Sequence, residues 1–200
     1  PPSYQNGVLF LEYGTIDRSN FDAVTVPSTQ EIVVIRNKDA SNAAARIINP
    51  RTRTASTLGT VIQNALEWNY PALVLIPDTE RILLQYGNAI RYSDDLGATW
   101  SLYSESPTPG GVISSFGRSR MAYYRGDIGL VIEDLAGAVN GTIHQWASSD
   151  LGATFVEVKA HTGLGYGVSY QSTEAGVFVF YLRQADNFPV IRHMSGPFAD

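Results

Sequence analysis

Two hundred residues, 44% hydrophobic and 16% charged, are enough for one folded domain with a substantial core. A net charge of −5 leaves no basic footprint for nucleic acid. The lack of cysteine removes disulfides, thiolate metal sites and cysteine nucleophiles, and no apolar run approaches the ~20 residues that span a bilayer.

Short runs rich in β-branched and aromatic residues recur along the chain. Val8–Tyr13 comes first, then Ala23–Val26 and Glu31–Arg36. Residues 54–66 are the one stretch with a weak helical pattern. Ala72–Ile76, Arg81–Tyr86 and Ala89–Tyr92 follow, then Met121–Tyr124, Gly129–Glu133, Thr142–Trp146 and Thr154–Val158. Val177–Leu182 and Val190–Met194 close the series. Gly, Asn, Asp and Pro separate the runs, as they separate strands. Gly87-Asn88 and Asn140-Gly141 sit where tight hairpins need residues that tolerate positive φ.

One phrase occurs twice. Ser93-Asp94-Asp95-Leu96-Gly97-Ala98-Thr99-Trp100 and Ser148-Ser149-Asp150-Leu151-Gly152-Ala153-Thr154-Phe155 share the pattern Ser-x-Asp-x-Gly-x-Thr-aromatic, 55 positions apart. A phrase repeated at that interval indicates an array of similar β-units. The spacing predicts an all-β, propeller-like array of four-stranded antiparallel blades, about four of them or part of a larger propeller. Approximate units are residues 7–54, 70–105, 117–160 and 167–198 of one domain. The opening Pro1-Pro2, without Met, reads as a processing boundary of a longer natural chain.

The phrase resembles the Asp-box, the bacterial neuraminidase repeat of sialidase-like β-propellers. That resemblance implies a turn between the outer strands of a blade, on the rim and away from the axis where ligands bind. Its physics suits the residues. Asp95 and Asp150 can accept backbone amides, Ser93 and Ser148 can close the turn, and Gly97 and Gly152 supply positive φ. Thr99 and Thr154 start the next strand, and Trp100 and Phe155 pack their rings inside the blade. A calcium loop would need further ligands and a closing Glu, so no metal and no cofactor are expected.

Sialidases of this fold use arginines for the substrate carboxylate, a Tyr–Glu nucleophile pair and an Asp acid/base. The first arginine belongs to an Arg-Ile-Pro motif, and here Leu75-Ile76-Pro77 puts Leu in its place. The remaining candidates are Arg118 and Arg120 as a carboxylate clamp, Tyr123 as nucleophile and Glu133 as its partner. The plainer reading is an exposed strand paired with acidic neighbours. His144, His161 and His193 lack metal-ligand spacing.

Twelve of the fourteen basic residues are Arg, a bias that suits bidentate contacts and interfaces. The tyrosines, among them Tyr103, Tyr124 and Tyr181, suit sugar stacking, interfaces and strand interiors alike. Intact blade-building turns without the arginine motif favour a non-catalytic binding or assembly module. A viral or phage tail component, or a secreted surface protein, fits that composition, located outside the cell or on a virion. The alternatives are a sialidase-like glycoside hydrolase fragment and a purely structural particle protein. Expected partners are protein subunits of an assembly, glycans, or further copies of the chain, with no nucleic acid and no membrane span.

Overall fold

The computed structural model describes residues 21–39, 42–56, 61–63, 70–107, 116–134, 142–161, 169–173, 176–183 and 188–194. All regular structure in them is β. The first sheet holds β1 (Phe21–Thr25), β2 (Ile32–Asp39), β3 (Asn42–Asn49), β4 (Thr54–Ala55) and β5 (Val61–Gln63), in the order β1-β2-β3-β4 with β5 also on β3. The second is β6 (Ala72–Ile76), β7 (Arg81–Tyr86), β8 (Ala89–Ser93) and β9 (Ser101–Glu105). The third is β10 (Phe116–Tyr124), β11 (Asp127–Asp134), β12 (Thr142–Ser148) and β13 (Val156–His161). The fourth is β14 (Ser169–Thr173), β15 (Gly176–Arg183) and β16 (Phe188–Met194). Every pairing is antiparallel between sequence neighbours, apart from β3 with β5.

The weak helical pattern over 54–66 is not realised where the chain is described. Thr54–Ala55 and Val61–Gln63 are strands, and β-branched Thr, Val and Ile pair more readily with β3 than they sustain a lone helical turn. The runs at 72–76 and 81–86 are strands with those same ends. The run Val8–Tyr13 and the turn Asn140-Gly141 lie outside the described residues.

The first strand of each sheet is the inner one. β1 packs beside β6, β6 beside β10, and β10 beside β14, so successive sheets fan from one line. Alternation then gives the second and third sheets two buried faces. Val33, Ile35, Ala43 and Ala45 of the first sheet meet Leu73, Ile82, Leu84 and Tyr86 of the second. Val74, Ile76, Leu83 and Ile90 on the other face of the second meet Met121, Ile128, Leu130, Ile132 and Trp146 of the third. Ala122, Tyr124, Val131 and Ile143 of the third meet Val179 and Tyr181 of the fourth. Strands buried on both faces read as continuous apolar runs such as Arg81-Ile82-Leu83-Leu84. Each fully buried Leu or Ile contributes about 1.5–3 kcal/mol, so these three interfaces hold the fan together.

Register fixes two ends to the fan. Ala72 pairs with Gln85 and Tyr86 with Ala89 at one end, while Ile76 pairs with Arg81 and Ile82 with Ser93 at the other. In the third sheet, Asp134 pairs with Thr142 at the first end and Tyr124 with Asp127 at the second. Both octapeptides connect a third strand to a fourth at the second end.

Candidate functional site

At the second end, the two octapeptides have the same hydrogen bonds. The Ser93 hydroxyl donates to Asp95 Oδ1 at 2.8 Å and accepts the Gly97 amide at 2.7 Å. Ser148, Asp150 and Gly152 repeat both bonds at 2.7 Å. Asp95 accepts the Thr99 amide at 2.8 Å and the Thr99 hydroxyl at 2.6 Å. Asp150 does the same with Thr154 at 2.9 and 2.6 Å. The Thr154 hydroxyl, its amide and the Ser148 hydroxyl hold the Asp150 carboxyl below its ordinary range. Burial opposes the shift at Asp95, but the Thr99 and Ser93 bonds outweigh it. These carboxylates are committed to their own turns. Asp94 is spent as well, on the Arg81 guanidinium at 2.7 and 2.9 Å.

The first end carries different chemistry. There the starts of the inner strands converge, and Asp22 on β1 reaches across to β6. Its Oδ2 accepts the Leu73 amide at 2.8 Å, and its Oδ1 accepts the Ala23 amide at 2.9 Å. Burial raises its carboxyl above the usual range, against the two amides and the nearby Arg120 charge. Asp22 is thus a carboxyl of raised proton affinity within the field of the Arg120 charge.

Arg120 is half-buried on β10, and its Nη1 donates to the Ser119 carbonyl at 2.8 Å. Ser119 is buried, 2.8 Å from the Tyr70 carbonyl oxygen and in contact with the Gln85 side-chain carbonyl. Gln85, also buried, donates to the Gly87 carbonyl at 2.8 Å. This chain of bonds ties the start of β10 to β6 and β7 and so fixes Arg120 relative to Asp22. Arg118 is exposed, its guanidinium 5.8 Å from the centre of the Tyr70 ring. Among the described residues, neither Arg118 nor Arg120 has a carboxylate at ion-pair distance.

Of the residues singled out from sequence, the structure brings Arg118, Arg120 and Glu133 to this end. Glu133 is buried, and its Oε2 accepts the Arg118 amide at 3.1 Å, binding β11 to β10. Tyr123 is not with them. It faces the second sheet, packed against the cluster of Met121, Ile128 and Trp146. Tyr124 and Tyr181 are buried between the third and fourth sheets. His144 Nδ1 lies 2.5 Å from Glu157 Oε1, a third-to-fourth-strand pair. Sequence reasoning missed Asp22, Tyr70, Gln85 and Ser119. The available signal was positional: Asp22 is an acid directly before an inner-strand apolar run.

No protein-family model matches the chain, and no curated protein matches it by sequence. Solved structures do match by fold. Zg3597, a family 117 glycoside hydrolase from the marine bacterium Zobellia galactanivorans, superposes with a TM-score of 0.63 at 11% identity, over 91% of this chain and 67% of that one. The Hadza microbial sialidase Hz136 gives 0.61 at 13% identity, over 90% and 44%. The periplasmic gluconolactonase PpgL of Pseudomonas aeruginosa gives 0.58 at 13% identity, over 89% and 51%. This chain therefore spans about two thirds of the first and about half of the other two. The fold is that of a β-propeller.

These comparisons correct one expectation. A non-catalytic binding or assembly module, of a viral or phage particle or of a secreted surface protein, does not stand, because these solved structures of the same fold are sugar-processing enzymes. The missing Arg-Ile-Pro motif was a poor reason for that expectation, since it speaks to one branch of the fold only.

Proposed function

We propose that this chain is the sugar-processing part of a β-propeller glycoside hydrolase, with Asp22 as its proton-transferring carboxyl. One observation carries the reading. Asp22 sits where inner strands converge, its proton affinity raised by burial and moderated by the Arg120 charge, and its position set by two amides. Glycosidic oxygen is a poor leaving group until protonated, and a carboxyl that holds its proton above the ordinary range can supply it. The Arg120 charge limits that rise, and the Leu73 and Ala23 amides orient the acid. The fold likeness supports the substrate class and does not assign the residue.

We also read the two octapeptides as Asp-boxes. They lie at the end of the fan away from Asp22, and their acids are used within their own turns. Within the fold, an aspartate acid fits this chain better than a tyrosine nucleophile at Tyr123, which is half-buried against the apolar cluster between the second and third sheets.

The test is turnover of a panel of chromogenic glycosides, furanosides, pyranosides and a sialoside among them, by the chain and by Asp22→Asn. Turnover of at least one glycoside is expected, with kcat reduced about 10²–10⁴-fold by the substitution and the thermal transition retained. Equal turnover by the variant would remove Asp22 from the chemistry. Failure of the folded chain on every glycoside would remove the function.

A further inference from the structure

The second and third sheets share one irregularity, and the third has another of its own. β8 with β9 shifts register between Ile90 and Arg91, and β12 with β13 between Gln145 and Trp146. Each shift begins three positions before the serine of an octapeptide, so these bulges recur with the blade. The bulge on β10 does not recur. Phe116 pairs with Asp134 and Ser119 with Ile132, so Gly117 and Arg118 together stand opposite Glu133. The inner pairs β1–β2, β6–β7 and β14–β15 run in unbroken register. Blade geometry therefore does not require the extra residue on β10, and a bulge of this kind re-aims a side chain.

The side chain concerned is Arg118. Ser119 faces the second sheet, where its hydroxyl meets Gln85 and the Tyr70 carbonyl, and Met121 and Tyr123 keep that face. Strict alternation would turn Arg118 the other way. Its guanidinium instead lies 5.8 Å from the centre of the Tyr70 ring, on the Ser119 side.

A bulge also sets one residue outside the ladder, and its amide needs another acceptor. Buried Glu133 accepts the Arg118 amide through Oε2 at 3.1 Å. Its side chain thus closes the bulge that its own position faces. The result is an exposed guanidinium against a half-buried ring, at the end where the inner strands converge. Such a pair offers N–H donors to hydroxyl oxygens and an apolar face to ring C–H groups, which is the surface of a sugar.

We propose that Glu133 is a positioning residue: by accepting the Arg118 amide it locks the bulge that turns Arg118 toward Tyr70, where the guanidinium binds sugar hydroxyls. The ligand in this proposal rests on the glycoside hydrolase reading, whereas the geometry rests on register and distance alone. It gives Glu133 no part in bond cleavage.

The first readout needs no turnover. NMR of the isotope-labelled chain follows the Arg118 Nε–H resonance, assigned by its loss in Arg118→Lys, and the exchange of the Arg118 amide. Glu133→Ala should move the resonance and speed amide exchange about tenfold or more. Glu133→Gln keeps a carbonyl acceptor and should recover most of both. Deleting Gly117 removes the extra residue and should move the resonance too, which answers the question if Glu133→Ala does not fold. An unmoved resonance in either folded variant would overturn the proposal.

The second readout is kinetic, on whichever glycoside the chain turns over. Arg118→Ala and Glu133→Ala should each raise KM about tenfold with kcat near the parent value, and the double variant should add little. A loss of kcat in Glu133→Gln as large as that in Asp22→Asn would make Glu133 a catalytic carboxyl and overturn the proposal. An unchanged KM in Arg118→Ala would overturn it as well. If the resonance moves in a chain that turns over no glycoside, the proposed function fails and the sugar contact with it, while Glu133 remains the residue that places Arg118.

Discussion

Asp150 has more to do than its exposure suggests. It accepts two bonds from Thr154 and one from the Ser148 hydroxyl, which in turn accepts the Gly152 amide. Removing it frees an amide and two hydroxyls at once, so Asp150→Ala should cost about 1 kcal/mol, solvent competing for part of the difference. The pH dependence has a defined sign. The native carboxyl is held below its ordinary range, so its contribution is complete above that range and is lost as pH falls through the lower, folded value. Thermal melting from pH 6 downward should decline less steeply in Asp150→Ala than in the parent; parallel curves would mean the turn does not hold the charge. Asp22 has the opposite sign. Its raised carboxyl stabilises most at low pH and loses that contribution as pH rises through the folded value, so its burial works against stability at neutral pH.

Among the elements, the octapeptide turns are the most constrained. Gly152 has φ +95° and Gly97 φ +85°, each preceded by a leucine that is also left-handed, at 57° and 58°. A Cβ on Gly152 would stand 2.7 Å from Leu83 Cδ1, and one on Gly97 would stand 2.8 Å from Val33 Cγ1. Both neighbours are fully buried and have little room to give. Gly152→Ala should therefore lower stability by at least about 1–2 kcal/mol, from strain and overlap together, read as a shift in denaturation midpoint at constant slope.

Much of this architecture was legible in the residues, because a doubly buried strand such as Arg81–Tyr86 announces itself by composition and a repeated turn by its spelling. β3 was not, because Ala43-Ala44-Ala45 carries no β-branched signal and becomes a strand only through its pairing with β2 and the second sheet packed on it. β14, Ser169-Tyr170-Gln171-Ser172-Thr173, was too polar to stand out. The candidate acid was hidden for another reason. Asp22 lies 51 positions from the Leu73 amide and 98 from Arg120, and only the fan brings inner-strand starts together.

At the scale of the whole molecule, the sheets are joined by buried apolar faces and by a few polar ties across their seams. Ser28 donates to Glu80 twice, through its amide at 2.9 Å and its hydroxyl at 2.6 Å, fastening the first β-turn of one sheet to that of the next. Glu80→Ala should cost about 1 kcal/mol and raise hydrogen exchange in β1 and β2 before it does so in β10 and β11. Uniform acceleration across all sheets would show that the seam carries no local stability.

The bedding of each glycine turn has a direction. Gly97 in the second sheet rests on Val33 of the first, and Gly152 in the third rests on Leu83 of the second. Both corners lean on residues translated earlier. A nascent polypeptide leaving the ribosome would find each foundation already laid when the corner that needs it emerges, so the order of synthesis and the order of support coincide.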